Sequence, residues 1–351
     1  MIISQNVGID GGLKDFKVCL MILHQDQSLK VKGTRTFTNN LKGFEAFFCW
    51  AEKKKEQTDP LRFTMEATGV YYEQPAYFLH RKAQHVSVIL PNKTKAYFQT
   101  LNLKSKTDKL EARALAQLGL ERKFAKWEPL SKQMYELKTL CRERVMLLEE
   151  KTMVSNRLHA ETHCQSPNSS VVKRLKKRID FIKRQIKEVE KQLKTIVKKD
   201  KELDKRMDNI CQLKGLSFIT VITVISETNG FALFRNRAQL TSFSGYDVVQ
   251  RQSGSSVLGK TKISKKGNRY IRRALHMPSL CVIKYNEEYR NLYERVFERT
   301  KIKMKGIVAV QRKLLLLIFS LFKKNQAYDP DFSKQKTAKN CRQDTIPAYA
   351  G

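Results

Sequence analysis

The sequence Asn6-Val7-Gly8-Ile9-Asp10 is typical of a short β-strand that ends on a carboxylate, and Gly11-Gly12 supplies a turn after it. Residues 16–23 are expected to pair back on this strand as a hairpin, and residues 29–37 to add a third strand. Apolar spacing then predicts helices at 41–55, 72–83, 93–100 and 108–119, and strands at 61–66 and 85–90. Three strands are thus followed by alternating helices and strands.

That order is the order of a ribonuclease-H-like α/β fold, and it places four acidic residues at informative positions. Asp10 ends the first strand and Glu66 ends the fourth, which are neighbours in such a sheet. Asp108 and Glu111 are three residues apart on a helix and therefore face the same side. Each acid alone is compatible with a solvated turn or a helix cap. Together they predict a catalytic set that binds a pair of Mg²⁺ ions, roughly 3.5–4 Å apart, on a phosphodiester.

A second informative stretch is residues 252–273, QSGSSVLGKTKISKKGNRYIRR. From residue 248 to residue 286 there is no Asp or Glu, whereas nine Lys or Arg occur. Small residues and glycines let backbone amides approach a phosphate, although a flexible basic loop before a helix is the simpler alternative. The basic side chains that we predict to bind nucleic acid are Lys260, Lys262, Lys265, Lys266, Arg269, Arg272 and Arg273.

The overall charge agrees with a nucleic-acid-binding protein. The chain of 351 residues has 68 Lys and Arg against 34 Asp and Glu, a formal net charge of +34. Its seven cysteines are isolated from one another, which makes a zinc ribbon or disulfide framework unlikely to be the basis of the fold and favours a reducing cytoplasm. The N-terminal sequence lacks the basic-then-apolar pattern of a signal segment, and the apolar run 314–322 is too short to span a bilayer, so we expect no membrane partner.

Beyond residue 128 the sequence predicts mainly helix. Segments 131–163 and 171–213 flank a short turn, and apolar residues at alternating spacings of four and three in the second predict an antiparallel coiled-coil hairpin. Fifteen basic and six acidic residues between 173 and 206 favour contact with nucleic acid or with a partner chain, and the sequence leaves this choice open. Residues 213–220 resemble the hairpin of a helix-hairpin-helix. We predict four parts: 1–127, 128–207, a helical part at 208–330, and a disordered tail at 331–351.

Five motifs together resemble the DEDD transposases of insertion sequences, in the group numbered one-hundred-and-ten, and the related Piv-type DNA invertases. The motifs are VGID at 7–10, MEATG at 65–69, KTDKLEARALA at 106–116, QSG at 252–254 and ISKKGNR at 263–269. The resemblance implies a RuvC-like N-terminal domain, a coiled coil and a C-terminal transposase domain in which Ser253 attacks DNA. It also implies a structured noncoding guide RNA, assembly into homodimers and homotetramers, and action in the bacterial cytoplasm at the nucleoid. Three positions in two motifs depart from the family pattern: Glu111 replaces an Asp, and Lys214 and Ser217 replace the proline and second glycine of the hairpin.

The mechanism expected from these residues is serine attack on a scissile phosphate that Mg²⁺ polarises, giving a phosphoserine-linked strand and a free hydroxyl. The bond energy is conserved in the covalent intermediate, so strands can be rejoined without ATP. Two alternatives remain open at this stage. One is a RuvC-like metal-dependent nuclease that resolves DNA junctions with water as the nucleophile, and the other is an inactive nucleic-acid-binding regulator.

The positive charge leads to a first prediction, which concerns binding alone. Affinity for nucleic acid is expected to fall steeply as salt rises from 50 mM to 200 mM, because each phosphate contact releases counterions, with a slope of about −0.9 per contact on a logarithmic plot. Fluorescence anisotropy with a labelled duplex measures that slope. An affinity that did not change over this range would contradict the prediction.

Overall fold

The computed structural model describes residues 2–56, 60–102, 105, 107–232, 234–250, 252–253, 257–259 and 261–331. The chain divides into two compact units, Met1–Pro129 and Leu130–Gly351. The finer division into four domains stays a prediction, and the predicted disordered tail lies outside the described residues from position 332 onward.

The first unit is built on one five-stranded mixed sheet with the order β3-β2-β1-β4-β5. Strands β1, β2 and β3 are antiparallel neighbours, whereas β4 is parallel to β1 and β5 is parallel to β4. This is the predicted ribonuclease-H-like arrangement. The elements are β1 (Ile2–Gly11), β2 (Asp15–His24), β3 (Leu29–Thr38), α1 (Leu41–Lys54), β4 (Arg62–Glu66), α2 (Glu73–Arg81), β5 (His85–Ile89), α3 (Pro91–Thr100) and α4 (Asp108–Glu121).

Helix α4 lies directly on the backbone of β1 because glycine leaves no side chain between them. A Cβ atom built on Gly8 would meet the Ala112 carbonyl oxygen at 2.1 Å and the Ala116 nitrogen at 2.2 Å. The buried Asn6 side chain fixes the same contact, since its Nδ2 donates to the Ala116 carbonyl at 2.9 Å and its Oδ1 accepts from Thr64 at 3.1 Å. The first turn of α4 is therefore held in a fixed position on the sheet.

The second unit begins with two long helices that pack against each other. Salt bridges join Arg144 to Glu190 and Glu150 to Arg178, so the partner's number falls as the first residue's number rises, and the helices are antiparallel. The predicted apolar stripe forms their buried face, with Ile179, Ile182, Ile186, Val189 and Leu193 all buried. The helical hairpin is thus present, and its coiled-coil packing stays a prediction. The two helices are α5 (Lys132–Thr162) and α6 (Ser169–Lys199).

The prediction of one helix across 171–213 is wrong, because the chain breaks at Asp200. This residue has an extended backbone, and its side chain accepts a hydrogen bond from the Leu203 nitrogen at 3.0 Å, which caps the next helix. The remaining helices are α7 (Lys201–Cys211), α8 (Phe218–Glu227), α9 (Arg237–Phe243), α10 (Arg269–Tyr285), α11 (Glu287–Thr300) and α12 (Lys303–Lys324).

The part 208–330, which was predicted to be mainly helical, also contains two short antiparallel strand pairs between α9 and α10 that the sequence did not predict. The outer pair joins β6 (Val248–Val249) to β9 (Lys262–Ile263), and the inner pair joins β7 (Gln252–Ser253) to β8 (Val257–Leu258). Along the chain, the inner pair lies between the two strands of the outer pair. Among the residues that the structure describes, no helix is both long and apolar enough to cross a membrane.

The contact of α4 with β1 leads to a second prediction. Gly8→Ala is expected to lower the free energy of unfolding by about 1–3 kcal/mol, because the added methyl group overlaps the α4 backbone. Gly11→Ala is the matched control in the same strand, since the nearest atom to a Cβ there, the Tyr71 carbonyl oxygen, is 3.7 Å away. Urea denaturation of both variants measures the difference. If Gly8→Ala and Gly11→Ala had equal free energies of unfolding, the packing of α4 on β1 would not depend on the absence of a side chain at residue 8.

Candidate active site

The four predicted acids come from three elements of the first unit. Asp10 lies near the end of β1, and Glu66 is the last residue of β4, which runs parallel to β1 with Ile9 opposite Met65. The two carboxylates therefore leave the sheet at the same edge. Asp108 is the first residue of α4 and Glu111 lies in the same first turn, after a helix cap by Thr107.

The electrostatics of Asp10 show that these acids interact. Burial and, in decreasing order, the negative charges of Glu111, Asp108 and Glu66 together raise the pKa of Asp10 to about 7, while Lys17 opposes them. A carboxylate shifted in this way is half-buried among like charges. The structure thus brings together all four acids that the sequence singled out.

Lys17 is a fifth charged member of the cluster that the sequence analysis missed. It lies on β2 directly opposite Asp10 in the antiparallel register, and its Nζ donates to Asp108 Oδ2 at 2.6 Å. The hydrogen bond to Asp108 raises the pKa of Lys17 and so favours its ammonium form. The β1–β2 hairpin register places Lys17 opposite Asp10, and this register was the feature of the sequence that could have identified Lys17. Lys17 gives the acids one internal positive charge.

Glu66 is held by two threonine hydroxyls. Thr68 Oγ1 donates to Glu66 Oε1 at 2.8 Å, and the buried Thr94 Oγ1 of α3 donates to Glu66 Oε2. These bonds fix the carboxylate orientation at the strand end. Thr94 is therefore another contributor that composition and spacing did not reveal.

The donor set fits Mg²⁺ in its chemistry, because all four groups offer carboxylate oxygens and carry surplus negative charge that Lys17 offsets only in part. Within the described ranges, however, no group of three or more acidic, His or Cys side chains is arranged ready to hold a metal. The contacts of Asp108 with Lys17 and of Glu66 with Thr94 account for this, since each directs a carboxylate toward a protein donor. Asp10, Glu66, Asp108 and Glu111 are the residues that would hold the cation.

The predicted nucleophile lies in the second unit. Ser253 belongs to the inner strand pair, where its Cα is opposite Val257. Its side chain, residues 254–256 and Lys260 fall outside the part of the chain that the structure describes. The backbone places Ser253 as the last residue of β7, paired with the first residue of β8.

The ISKKGN motif at 263–268 is a tightly bound turn at the base of the strand pairs. Ser264 donates from its backbone nitrogen to the Asp247 carbonyl at 2.8 Å and from its hydroxyl to the Asp247 carboxylate at 2.7 Å. Lys265 has a left-handed backbone, and a Cβ on Gly267 would meet the Phe243 carbonyl oxygen at 2.4 Å. The motif therefore holds the chain that follows the serine segment, residues 252–258, against the end of α9.

Asn268 links that turn to a buried carboxylate. It caps α10 by accepting from the Tyr270 and Ile271 nitrogens, and its Nδ2 donates to Glu227 Oε2 at 2.6 Å. The fully buried Glu227 side chain also accepts two bonds from Arg142 of α5, at 2.6 and 2.9 Å. This network joins three helices at the start of α10, and no local sequence pattern predicts it because its members are far apart in the chain.

The predicted nucleic-acid-binding residues separate into two groups. Arg272 donates to the Ser244 carbonyl at 2.9 Å, Arg273 pairs with Glu149, and Arg269 stacks on Tyr270, so these arginines make contacts within the fold. Lys265 lines two grooves, Lys262 lines one of them, and Lys266 is exposed. The three lysines, Arg269 and Arg273 are all exposed, and Arg272 is half-buried.

Two family models match this chain, one over the segment with the four acids and the other over the segment with Ser253. A DEDD-type IS110 transposase family model matches residues 7–161, and the model of the Transposase IS116/IS110/IS902 family matches residues 207–294. Together the two matches cover about two thirds of the chain and include all four acids and Ser253. The chain belongs to the IS110 family of transposases. Its class of activity is therefore that of a DNA recombinase or transposase.

Two curated relatives of this IS110 transposase extend over nearly the whole chain. The pilin gene-inverting proteins of Moraxella bovis and Moraxella lacunata are each 25% identical over 328 residues, covering 92% of this chain and 97% of theirs. Among solved structures, Thermus thermophilus RuvC alone and in complex with a Holliday junction substrate cover 32% of this chain and 90% of theirs, at 12% and 10% identity and TM-scores of 0.25 and 0.24. Likeness at that score adds nothing to the topology described above.

The raised pKa of Asp10 leads to a third prediction, for protein without metal. The folded state binds the Asp10 proton more tightly than the unfolded chain, whose aspartate titrates near 3.8, so the free energy of unfolding should fall as pH rises from about 4 to about 7. Asp10→Asn removes this penalty. The variant is expected to melt above the wild type at pH 8 and to converge with it near pH 4.

The matched control is Glu45→Gln, which removes an exposed carboxylate on α1. Thermal unfolding in EDTA compares the three proteins, and added Mg²⁺ should raise the melting temperature of the wild type but not of Asp10→Asn. A difference between Asp10→Asn and the wild type that did not vary with pH would contradict the repulsion among these acids.

Proposed function

We propose that this IS110 transposase cuts and rejoins DNA through a covalent serine–DNA intermediate, with Asp10, Glu66, Asp108 and Glu111 as its divalent-metal site. The observation that carries the proposal is the half-buried Asp10, whose pKa is raised by burial and then by the negative charges of Glu111, Asp108 and Glu66, the other three acids of the predicted set. Carboxylates that have only a structural role are seldom clustered without compensating cations, whereas phosphoryl-transfer sites require such clusters. The relatives named for inverting a pilin gene support DNA as the substrate.

The serine step is a transesterification at phosphorus. The Ser253 Oγ–P bond forms, the bond from phosphorus to the leaving DNA oxygen breaks, and that oxygen takes a proton to become a free hydroxyl. Rejoining reverses these changes with another DNA hydroxyl as the nucleophile, so the number of phosphodiester bonds is conserved. A divalent metal, when bound, supplies charge neutralisation at the phosphate oxygens.

The remaining roles fall to residues around Ser253. Lys262, Lys265 and Lys266 lie on the outer strand pair and on the ISKKGN turn, where their ammonium groups would hold flanking phosphates. Asn268 and Glu227 fix the base of the serine segment through the start of α10. A structured noncoding RNA as guide, and homodimers or homotetramers as the active form, belong to this proposal and are supported by the family match and by the net charge of +34.

A junction-resolving nuclease is the second candidate, because the acid cluster alone could direct water at phosphorus. It predicts free DNA ends and never a protein adduct. An inactive regulator is disfavoured by the four acids being together, since binding alone does not need them.

The adduct separates these candidates and gives a fourth prediction. A nicked suicide substrate that cannot be rejoined should trap a complex with wild-type protein that survives denaturing electrophoresis and disappears with protease. Ser253→Ala should abolish both the adduct and recombination, whereas Ser255→Ala and Ser256→Ala are matched controls that should retain some of each. Asp10→Asn should lose the adduct but bind DNA normally.

Mass spectrometry of the trapped peptide identifies the linked residue. A phosphoserine link at Ser255 or Ser256 would move the nucleophile within the segment. Normal cutting with free ends and no adduct would reject the serine mechanism in favour of the nuclease.

A further inference from the structure

A groove of about 890 Å³ lies between the outer strand pair β6–β9 and helices α11 and α12. It is distinct from the acid cluster, which belongs to the first unit. Most of its wall extends past residue 294, where the second family match ends. The residues that line it are Tyr246, Val248, Thr261, Lys262, Ile263, Lys265, Val296, Arg299, Thr300, Met304, Lys305, Val308, Ala309, Arg312, Lys313 and Leu316.

The charge of this groove is one-sided. Six of its sixteen lining residues are Lys or Arg and none is Asp or Glu. Only Lys262 and Lys265 were among the basic residues predicted from the sequence. The others come from α11 and α12, namely Arg299, Lys305, Arg312 and Lys313, and Lys313 pairs with Glu288 at 2.6 Å. A groove with this charge favours an anionic ligand.

The groove is also apolar inside, which a site for phosphates alone would not need. Ile263, Val296 and Val308 are partly buried along it, and Tyr246 is fixed at one side because its hydroxyl donates to Gln311 Oε1 at 3.0 Å. Val248 and Met304 are large apolar side chains that remain 54% and 51% exposed there. These surfaces lose contact with water only if a ligand with an apolar face enters.

An unpaired nucleotide matches both properties, whereas a paired one does not. Its base has two apolar faces and its two flanking phosphates carry the negative charge. In a duplex the base faces are stacked, so only the phosphates would reach the basic rim. The groove volume is in the range of sites that enclose small organic ligands.

We propose that this groove binds an unpaired nucleotide of a nucleic-acid strand, with the base inside and the flanking phosphates on the lysines and arginines of its rim. One wall of the groove is formed by the strands Val248–Val249 and Lys262–Ile263. Along the chain, the strand pair that contains Ser253 lies between these two strands. The inference goes beyond the proposed function, because it requires strand binding and not serine attack.

The experiment compares binding of three fluorescein-labelled probes of equal length to the full-length protein: a single strand, a duplex, and a single strand whose sugars are abasic. Ala309→Trp fills the groove without changing charge and should weaken single-strand binding about tenfold, or about 1.4 kcal/mol, within the range for loss of one stacked base. Duplex binding should stay within about twofold of the wild type, because its base faces are not available. The wild type should bind the abasic strand as weakly as Ala309→Trp binds the normal one.

Charge is tested separately on the exposed rim, where substitution does not disturb the core. Arg299→Ala combined with Arg312→Ala should weaken single-strand binding more than Lys323→Ala combined with Lys324→Ala, a control pair at the end of α12 that removes the same charge. The same measurements are made with DNA and with RNA single strands, and the nucleic acid that binds more tightly identifies the ligand of the groove. These binding assays involve no strand cleavage, so failure of the serine mechanism would leave their results unchanged.

Two results would overturn the inference. One is an Ala309→Trp variant with the wild-type melting temperature that binds the single strand as tightly as the wild type. The other is an equal loss of affinity in the rim pair and the control pair. Neither result would affect the proposed covalent serine intermediate. Conversely, intact single-strand binding without a protein–DNA adduct would reject the serine step and not the nucleotide-binding groove.

Discussion

The direct contact between α4 and β1 is the constraint on which the first unit depends. Gly8 allows the helix backbone to reach the strand, and Asn6 and Thr64 hydrogen-bond across the same contact. Because a helix and a strand meet without a side chain between them, the first turn of α4 comes close to the carboxyl end of β1. Asp108 and Glu111 therefore join Asp10 and Glu66 in one cluster. The close packing stabilises the unit, and the acids that it gathers oppose that stability by repelling each other.

Lys17 and Thr94 reduce this opposition in the protein without metal. Lys17 supplies a positive charge to Asp108, and Thr94 donates a hydrogen bond to Glu66. The cost that remains appears at Asp10, whose proton is held up to about neutral pH. An active site that stays partly unfavourable until its cofactor arrives is a common arrangement, since a cation that relieves repulsion binds more strongly. The same contacts explain why the described acids are gathered without being in a geometry ready for a metal.

Local pattern predicted the sheet and the acids well, because strands and an amphipathic helix are encoded by neighbouring residues. All five strands and their order were correct, and so was the buried stripe of α6. The break at Asp200 was missed because apolar residues continue at similar spacing on both sides, from Val197 to Leu203. The short strands at 248–263 were missed because Gly, Ser and Lys obscure any alternation of apolar residues. Lys17, Glu227 and the basic wall of α11 and α12 depend on contacts between distant segments, which no local pattern contains.

The most direct test of the metal site is X-ray anomalous scattering from crystals of the full-length protein grown with Mn²⁺ in place of Mg²⁺. The account predicts a manganese peak within bonding distance of Asp10 and of at least one oxygen each from Glu66 and Asp108 or Glu111, roughly 2.0–2.3 Å. Lys17 should then no longer donate to Asp108. Crystals with no peak at this sheet edge, and with Lys17 still bonded to Asp108 at high Mn²⁺ concentration, would contradict it.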